Sequence, residues 1–385
     1  MSQENSDVDK FTFQIEENTL TLNRLNEQMD EQFELIYRYY SSNQKFDIDL
    51  FKESAMKFFD QSSEVKLHDG FFNNFTILWQ ILIHNGSFIS AEQIWQLAVQ
   101  IATQWETLNQ SKYRIHKGAA YYFWAVTCLL KEDLEKGFLL MHQALEEDKK
   151  NRLNELTYAP AHAFVRLDHR QEQYFRNKIL EVTEFLEQRL KLYQSSRNGY
   201  LSLDQLKSKF LDNKDLIDET FLFVYHLFHI KKLLSESKQG LTQNTYGSIL
   251  MMQIIFTFIL VIDNVIKHKY ENKDPHKQDL IYLVEYLSKK SNLIIDISKL
   301  REIGNRTSND LQSILIDLLN SRPIFKNSKL EEIENDIGIV YTLRNQAAHK
   351  ICDRPFIHQN FKQIVDRLFN VFFLVVEKLY IGTDQ

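Results

Sequence analysis

Apolar residues recur at helical spacing along most of this chain. Behind Ser90-Ala91-Glu92-Gln93, a capping-box pattern, Ile94, Leu97, Ala98 and Ile101 fall on one face of a helix running to Trp105. Residues 118–148 read as a helical hairpin. Ala120, Phe123, Trp124 and Thr127 lie on one face, Glu132-Asp133 makes the turn, and Leu134 to Leu145 returns. A further helical pair is expected over Gln171–Tyr193. Ser195–Tyr200 reads as a loop, Ser202-Leu203-Asp204-Gln205 as a second capping box, and Asp215–Leu234 as the next helix.

Gly240 to Gly247 is a second break, and the main domain boundary is placed there. Helices follow at about 247–270, 277–289, 308–320 and 329–351, with a last one at about 358–381. Ser328-Lys329-Leu330-Glu331 caps the fourth of these, and Pro355 lies beyond its end. The last helix is apolar nearly all round from Phe369 to Val376, the pattern of a deep core helix or of half a subunit interface. Ile249–Ile266 is also strongly apolar. Gln253, Asp263 and Asn264 interrupt it, so a buried core helix is expected there, not a membrane span.

Composition supports a helical protein. The 385 residues are 44% apolar and 25% charged, with only 10 Gly and 4 Pro, too few for a turn-rich β-sandwich or a Gly-looped nucleotide fold. Two cysteines make neither a disulfide framework nor a zinc cage, and the polar, acidic start lacks the pattern of a signal peptide. A cytoplasmic setting is therefore expected. The net charge is −6, concentrated in residues 1–60, where 13 acidic side chains face 6 basic ones. A global electrostatic grip on nucleic acid is absent, so any RNA contact must rest on a local site.

Two stretches resemble known families. Tyr121, Trp124, Ala125, Gly137, Met141 and Ala144 sit at spacings similar to a tetratricopeptide repeat, and Ala91, Trp95 and Ala98 repeat its second-helix part 46 residues earlier. That period is longer than the usual one of about 34, so the array is degenerate. Packing of any helical hairpin asks for the same alternation of large and small residues.

Near the end, Leu343-Arg344-Asn345-Gln346-Ala347-Ala348-His349-Lys350 resembles the RNxxxH form of the R-x4-6-H motif of HEPN domains, compact helical bundles of which many are metal-independent ribonucleases. Asn follows the Arg directly, small residues precede the His, and no other Arg has a His at the permitted spacing. The resemblance covers about 240–385. It implies a single-stranded RNA substrate, catalytic roles for Arg344, Asn345 and His349, no metal and no cofactor. It also implies a homodimer in which two motifs share a pocket, with the 369–376 surface as candidate interface. A bacterial toxin or antiviral defence effector is the setting it suggests.

The residue chemistry fits that expectation. Asn345 and His349 are four apart and share a helix face, whereas Arg344 is turned by about 140° from His349 and needs its long stem to reach the same pocket. A guanidinium suits the charge of a phosphorane, and an imidazole suits proton transfer near neutral pH. The bland alternative makes Arg344 and Lys350 solvated helix charges and His349 a capping residue.

Other candidates are weaker. Arg166, His169 and Arg170 form a small basic cluster, read first as a solvated helix face. His226 and His229 have a metal-ligand spacing without further ligands, which favours core packing. His268 and His276 flank a charged turn. Trp79, Trp95, Trp105 and Trp124 lie in apolar helical contexts and read as packing.

The resulting expectation is an all-α chain in three parts: an acidic helical segment over 1–60, a tetratricopeptide-like repeat region over 61–239 that docks a protein partner, and a HEPN-like bundle over 240–385. The competing reading is a non-enzymatic scaffold whose bundle is an inactive dimerisation or nucleotide-binding module.

Overall fold

The computed structural model describes residues 9–15, 18–42, 44–62, 65–109, 114–152, 159–170, 174–270, 279–291, 293, 295–304, 308–322, 332–349 and 354–382. The architecture is predominantly helical, with one two-stranded sheet. It divides into two compact units, Met1–Ala163 and Phe164–Gln385.

The first unit opens with strands β1 (Lys10–Ile15) and β2 (Asn18–Asn23), paired antiparallel with Phe13 opposite Leu20. This corrects the expectation of a wholly helical segment over 1–60. Phe13 and Ile15 are buried while Thr12 and Gln14 are exposed, the period-2 alternation of a half-buried strand. Helices α1 (Glu27–Ser42), α2 (Ile48–Gln61), α3 (Val65–His84) and α4 (Phe88–Leu108) follow. The buried Asn74 side chain ties β2 to α3: it accepts from the Asn23 amide at 2.8 Å and donates to the Asn23 carbonyl at 2.9 Å.

Gly86, at φ 71°, ends α3 so abruptly that α4 starts at Phe88. Ser90 therefore lies inside the helix, and the expected capping box there does not form. Helices α5 (Gly118–Leu130) and α6 (Leu134–Arg152) make the expected hairpin, turning at Glu132 with φ 62°. A Cβ on Gly137 would stand 2.6 Å from the Leu129 side chain, so only glycine permits this crossing. Trp79, Trp95 and Trp105 are fully buried, and the indoles of Trp79 and Trp105 donate to Thr127 and Asp60 at 2.7 and 2.9 Å. They are core residues. The short helix α7 (Pro160–Val165) contains the division between the units.

The second unit begins with α8 (Arg176–Arg197), one long helix and not the expected pair, ended by Asn198 in the left-handed conformation. Both bonds of the Ser202–Gln205 capping box are present at the start of α9 (Leu203–Leu206). Then come α10 (Ile217–Lys238), α11 (Thr245–Lys269, capped by the Asn244 side chain), α12 (Leu280–Ser291), α13 (Ile297–Gly304), α14 (Ser308–Leu319), α15 (Glu332–His349) and α16 (Arg354–Val376). The Ser328–Glu331 cap lies outside the described residues.

Helix α16 is the core of this unit, packed on α8, α11 and α15. Phe372 stacks on Phe223 at 4.3 Å, and Phe369 meets Phe258 at 5.1 Å. Residues 369–376 are all buried within the one chain, which overturns their assignment to a subunit interface. For the same reason Gly240–Gly247 is a short turn running into the first residues of α11 inside a unit, not a domain boundary: α8 and α10 share a core with α11 and α16. Helix α11 is long and apolar enough to cross a membrane by length and composition. Its buried face includes Asp263, and it lies against α10 and α16 as a core helix.

His226 is likewise a core group, and His229 is half-buried one turn on. The His226 ring is bonded to the Leu222 carbonyl at 2.5 Å and to the Thr257 hydroxyl at 2.7 Å, and burial lowers both histidines to about 4. In the unfolded chain they titrate near 6.5, so between the two values the unfolded state binds more protons. Their contribution is complete above pH 6.5 and lost as pH falls toward 4, on the order of 3 kcal/mol for the fully buried His226. Thermal melts should show the midpoint falling over that window. A His226→Gln chain that melts with an unchanged pH profile would refute this origin.

Candidate functional site

Helix α15 carries Arg344, Asn345 and, as its last residue, His349. Leu343 is fully buried and anchors this end of the helix in the core, while Thr342 donates to the Gly338 carbonyl at 2.7 Å. Arg344 and Asn345 follow at half-buried positions, next to the edge of the core. The His349 side chain, like Lys350, lies outside the described residues. Its backbone belongs to the same helix, about 6 Å along the axis from Asn345.

The structure adds a residue that the motif did not contain. Asp263 of α11 is only 2% exposed, and its Oδ2 lies 3.6 Å from the Arg344 guanidinium. Lys267, one turn on, reaches the same oxygen at 2.6 Å. At 3.6 Å the Arg344 contact is an ion pair and not a hydrogen bond, so Asp263 attracts the guanidinium without taking its donors. The second oxygen, Oδ1, is buried with no hydrogen-bond partner among the described residues. Two cations share one carboxylate, and this leaves a local positive excess beside the end of α15. The sequence signal was present: Asp263 is the one acidic residue of a strongly apolar helix, and Lys267 follows it four residues on.

The weaker candidates resolve differently. Arg166 pairs with Asp168 at 3.2 Å and Asp212 at 3.3 Å, so the basic cluster around His169 and Arg170 is largely neutralised. His268 is exposed at the end of α11, and His276 lies outside the described residues.

Comparison of the chain with protein-family models, with curated proteins and with solved structures finds no match. The RNxxxH resemblance therefore stands on its own residues.

Proposed function

We propose that this chain is a metal-independent endoribonuclease that cuts single-stranded RNA with Arg344, Asn345 and His349. The observation that carries the proposal is the placement of Arg344: half-exposed at the end of α15 and steered by the buried Asp263. A cation fixed in this way meets the charge of a phosphorane without reorganising. In the reaction, the 2′-oxygen attacks the adjacent phosphorus and the bond to the 5′-oxygen breaks. His349 moves the proton between these oxygens, Arg344 holds the non-bridging oxygens, and Asn345 orients the phosphate through its amide. The products are a 2′,3′-cyclic phosphate and a 5′-hydroxyl.

We place the enzyme in the cytoplasm as a homodimer, in a bacterial toxin or antiviral defence role, with the hairpins α4–α6 docking a protein partner. Incubation of the full chain with labelled single-stranded RNA in excess EDTA tests the chemistry. The expected result is cleavage that survives EDTA and leaves cyclic phosphate ends. Cleavage that needs a metal, or that leaves 5′-phosphates, would rule this chemistry out. A folded dimer with no cleavage would favour the scaffold reading.

A further inference from the structure

A second concentration of arginines lies away from the motif, between α8 and α16. Arg189, Arg197 and Arg367 line a pocket of about 210 Å³ together with Leu192, Gln363 and Asn370. Outside the lining, the exposed Lys362 pairs with Asp366 at 3.1 Å. Three carboxylates accompany these four cations. Asp366 pairs with Arg189, the fully buried Asp336 with Arg197 and Arg367, and the largely exposed Glu332 with Arg197. Of these charged groups, three arginines and one carboxylate, Asp366, line the pocket itself, whereas Asp336 and Glu332 pair with the arginines from outside the lining.

The donors and acceptors of the pocket are unevenly used. Asp336 is saturated, accepting from Arg197 at 2.6 and 3.1 Å, pairing with Arg367 at 3.1 Å and accepting from Asn370 at 2.9 Å. Arg189 is the opposite. Its side chain is only 10% exposed, it bonds Asp366 through a single nitrogen, and its Nε is buried with no hydrogen-bond partner among the described residues. A guanidinium so enclosed normally has its donors used, commonly as a two-pronged fork. Arg367 likewise uses one nitrogen, toward Asp336.

We infer that this pocket binds a phosphate group, as inorganic phosphate or as the terminal phosphate of a small ester. A tetrahedral oxyanion offers acceptors in several directions at once, which suits the terminal nitrogens of Arg189 on α8 and Arg367 on α16 that Asp366 and Asp336 do not take. A half-open pocket of this size accommodates one such group, with the substituent of an ester directed out of its mouth. This site is independent of the ribonuclease reading.

The test is calorimetric titration of the full chain with inorganic phosphate, adenosine 5′-monophosphate and adenosine. Phosphate is expected to bind with a Kd of about 1 mM or tighter, and adenosine not at all. Binding of the monophosphate would show that the pocket admits an ester. Its failure beside phosphate binding would assign the site to the free anion. Arg189→Gln should weaken binding about tenfold, the loss of one charge-assisted pair. Asp366→Asn removes the competing carboxylate and should tighten binding several-fold, an outcome that a purely structural role for Arg189 would not produce. No heat with phosphate up to about 10 mM, a range that would reveal even a weak site, would overturn the proposal. So would affinities unchanged in both folded variants.

Discussion

Arg344→Ala is expected to lower the rate of RNA cleavage about a thousandfold, and His349→Ala by a comparable factor between about 10² and 10⁴. For Arg344, the cation described beside it offers no replacement. Lys267 is already committed to Asp263 at 2.6 Å and sits one turn along a different helix, so it cannot take over the phosphorane. The informative variant is Asp263→Asn. It keeps the volume of a buried side chain but removes the charge that steers Arg344. A positioning role predicts a loss of about ten- to a hundredfold in kcat with KM nearly unchanged, because a displaced cation still attracts RNA but no longer meets the transition state. Measuring kcat and KM separately in EDTA checks this. Full activity in Arg344→Ala would end the nuclease assignment at this site. Full activity in Asp263→Asn alone would reduce Asp263 to packing.

The largest effect on stability is expected at Arg197, which pairs with the first turns of α15. Burial opposes its charge, but the bonds and charge of Asp336 outweigh burial, and Glu332 adds to them, so its pKa lies above the ordinary value. Asp336 itself is completely enclosed. Arg197→Ala should therefore cost about 3–5 kcal/mol, since it strands part of a carboxylate that the interior cannot solvate. The double variant Arg197→Met with Asp336→Leu should cost less than Arg197→Ala, because it removes the buried charge as well as its partner. Urea unfolding of the C-terminal unit measures both. A single-variant cost below about 1 kcal/mol, the range of a surface pair, would show that the network is dispensable.

Much of the helical layout was legible in the residues. Helix α11 matches its expected range within two residues because Asn244 caps it and its apolar run is long. The α5–α6 hairpin was equally legible, since Glu132-Asp133 interrupts two apolar stretches and Gly137 marks the close crossing. The β1–β2 hairpin was legible in principle. Phe11, Phe13 and Ile15 alternate with polar residues, as do Leu20 and Leu22. Each alternation spans only six residues, too few to stand out beside the long helical periods that follow. Helix α13, only eight residues long, carries too few periodic positions to stand out.

By itself, then, the sequence determined local matters: helical class, most helix limits, the Ser202 and Asn244 caps, and the RNxxxH spacing with its shared Asn345–His349 face. These depend on residues within a turn or two of each other, and short-range sterics and hydrogen bonding settle them. Only the tertiary structure decided which apolar faces meet. An all-round apolar run such as 369–376 has the same pattern in a core and at an interface, and its burial against Phe223 and Phe258 required the folded unit. The pairing of Asp263 with Arg344, and of Arg197 with Asp336, joins residues far apart along the chain. Such contacts have no period to read, because packing and the cost of burying a charge select them together once the helices are in place.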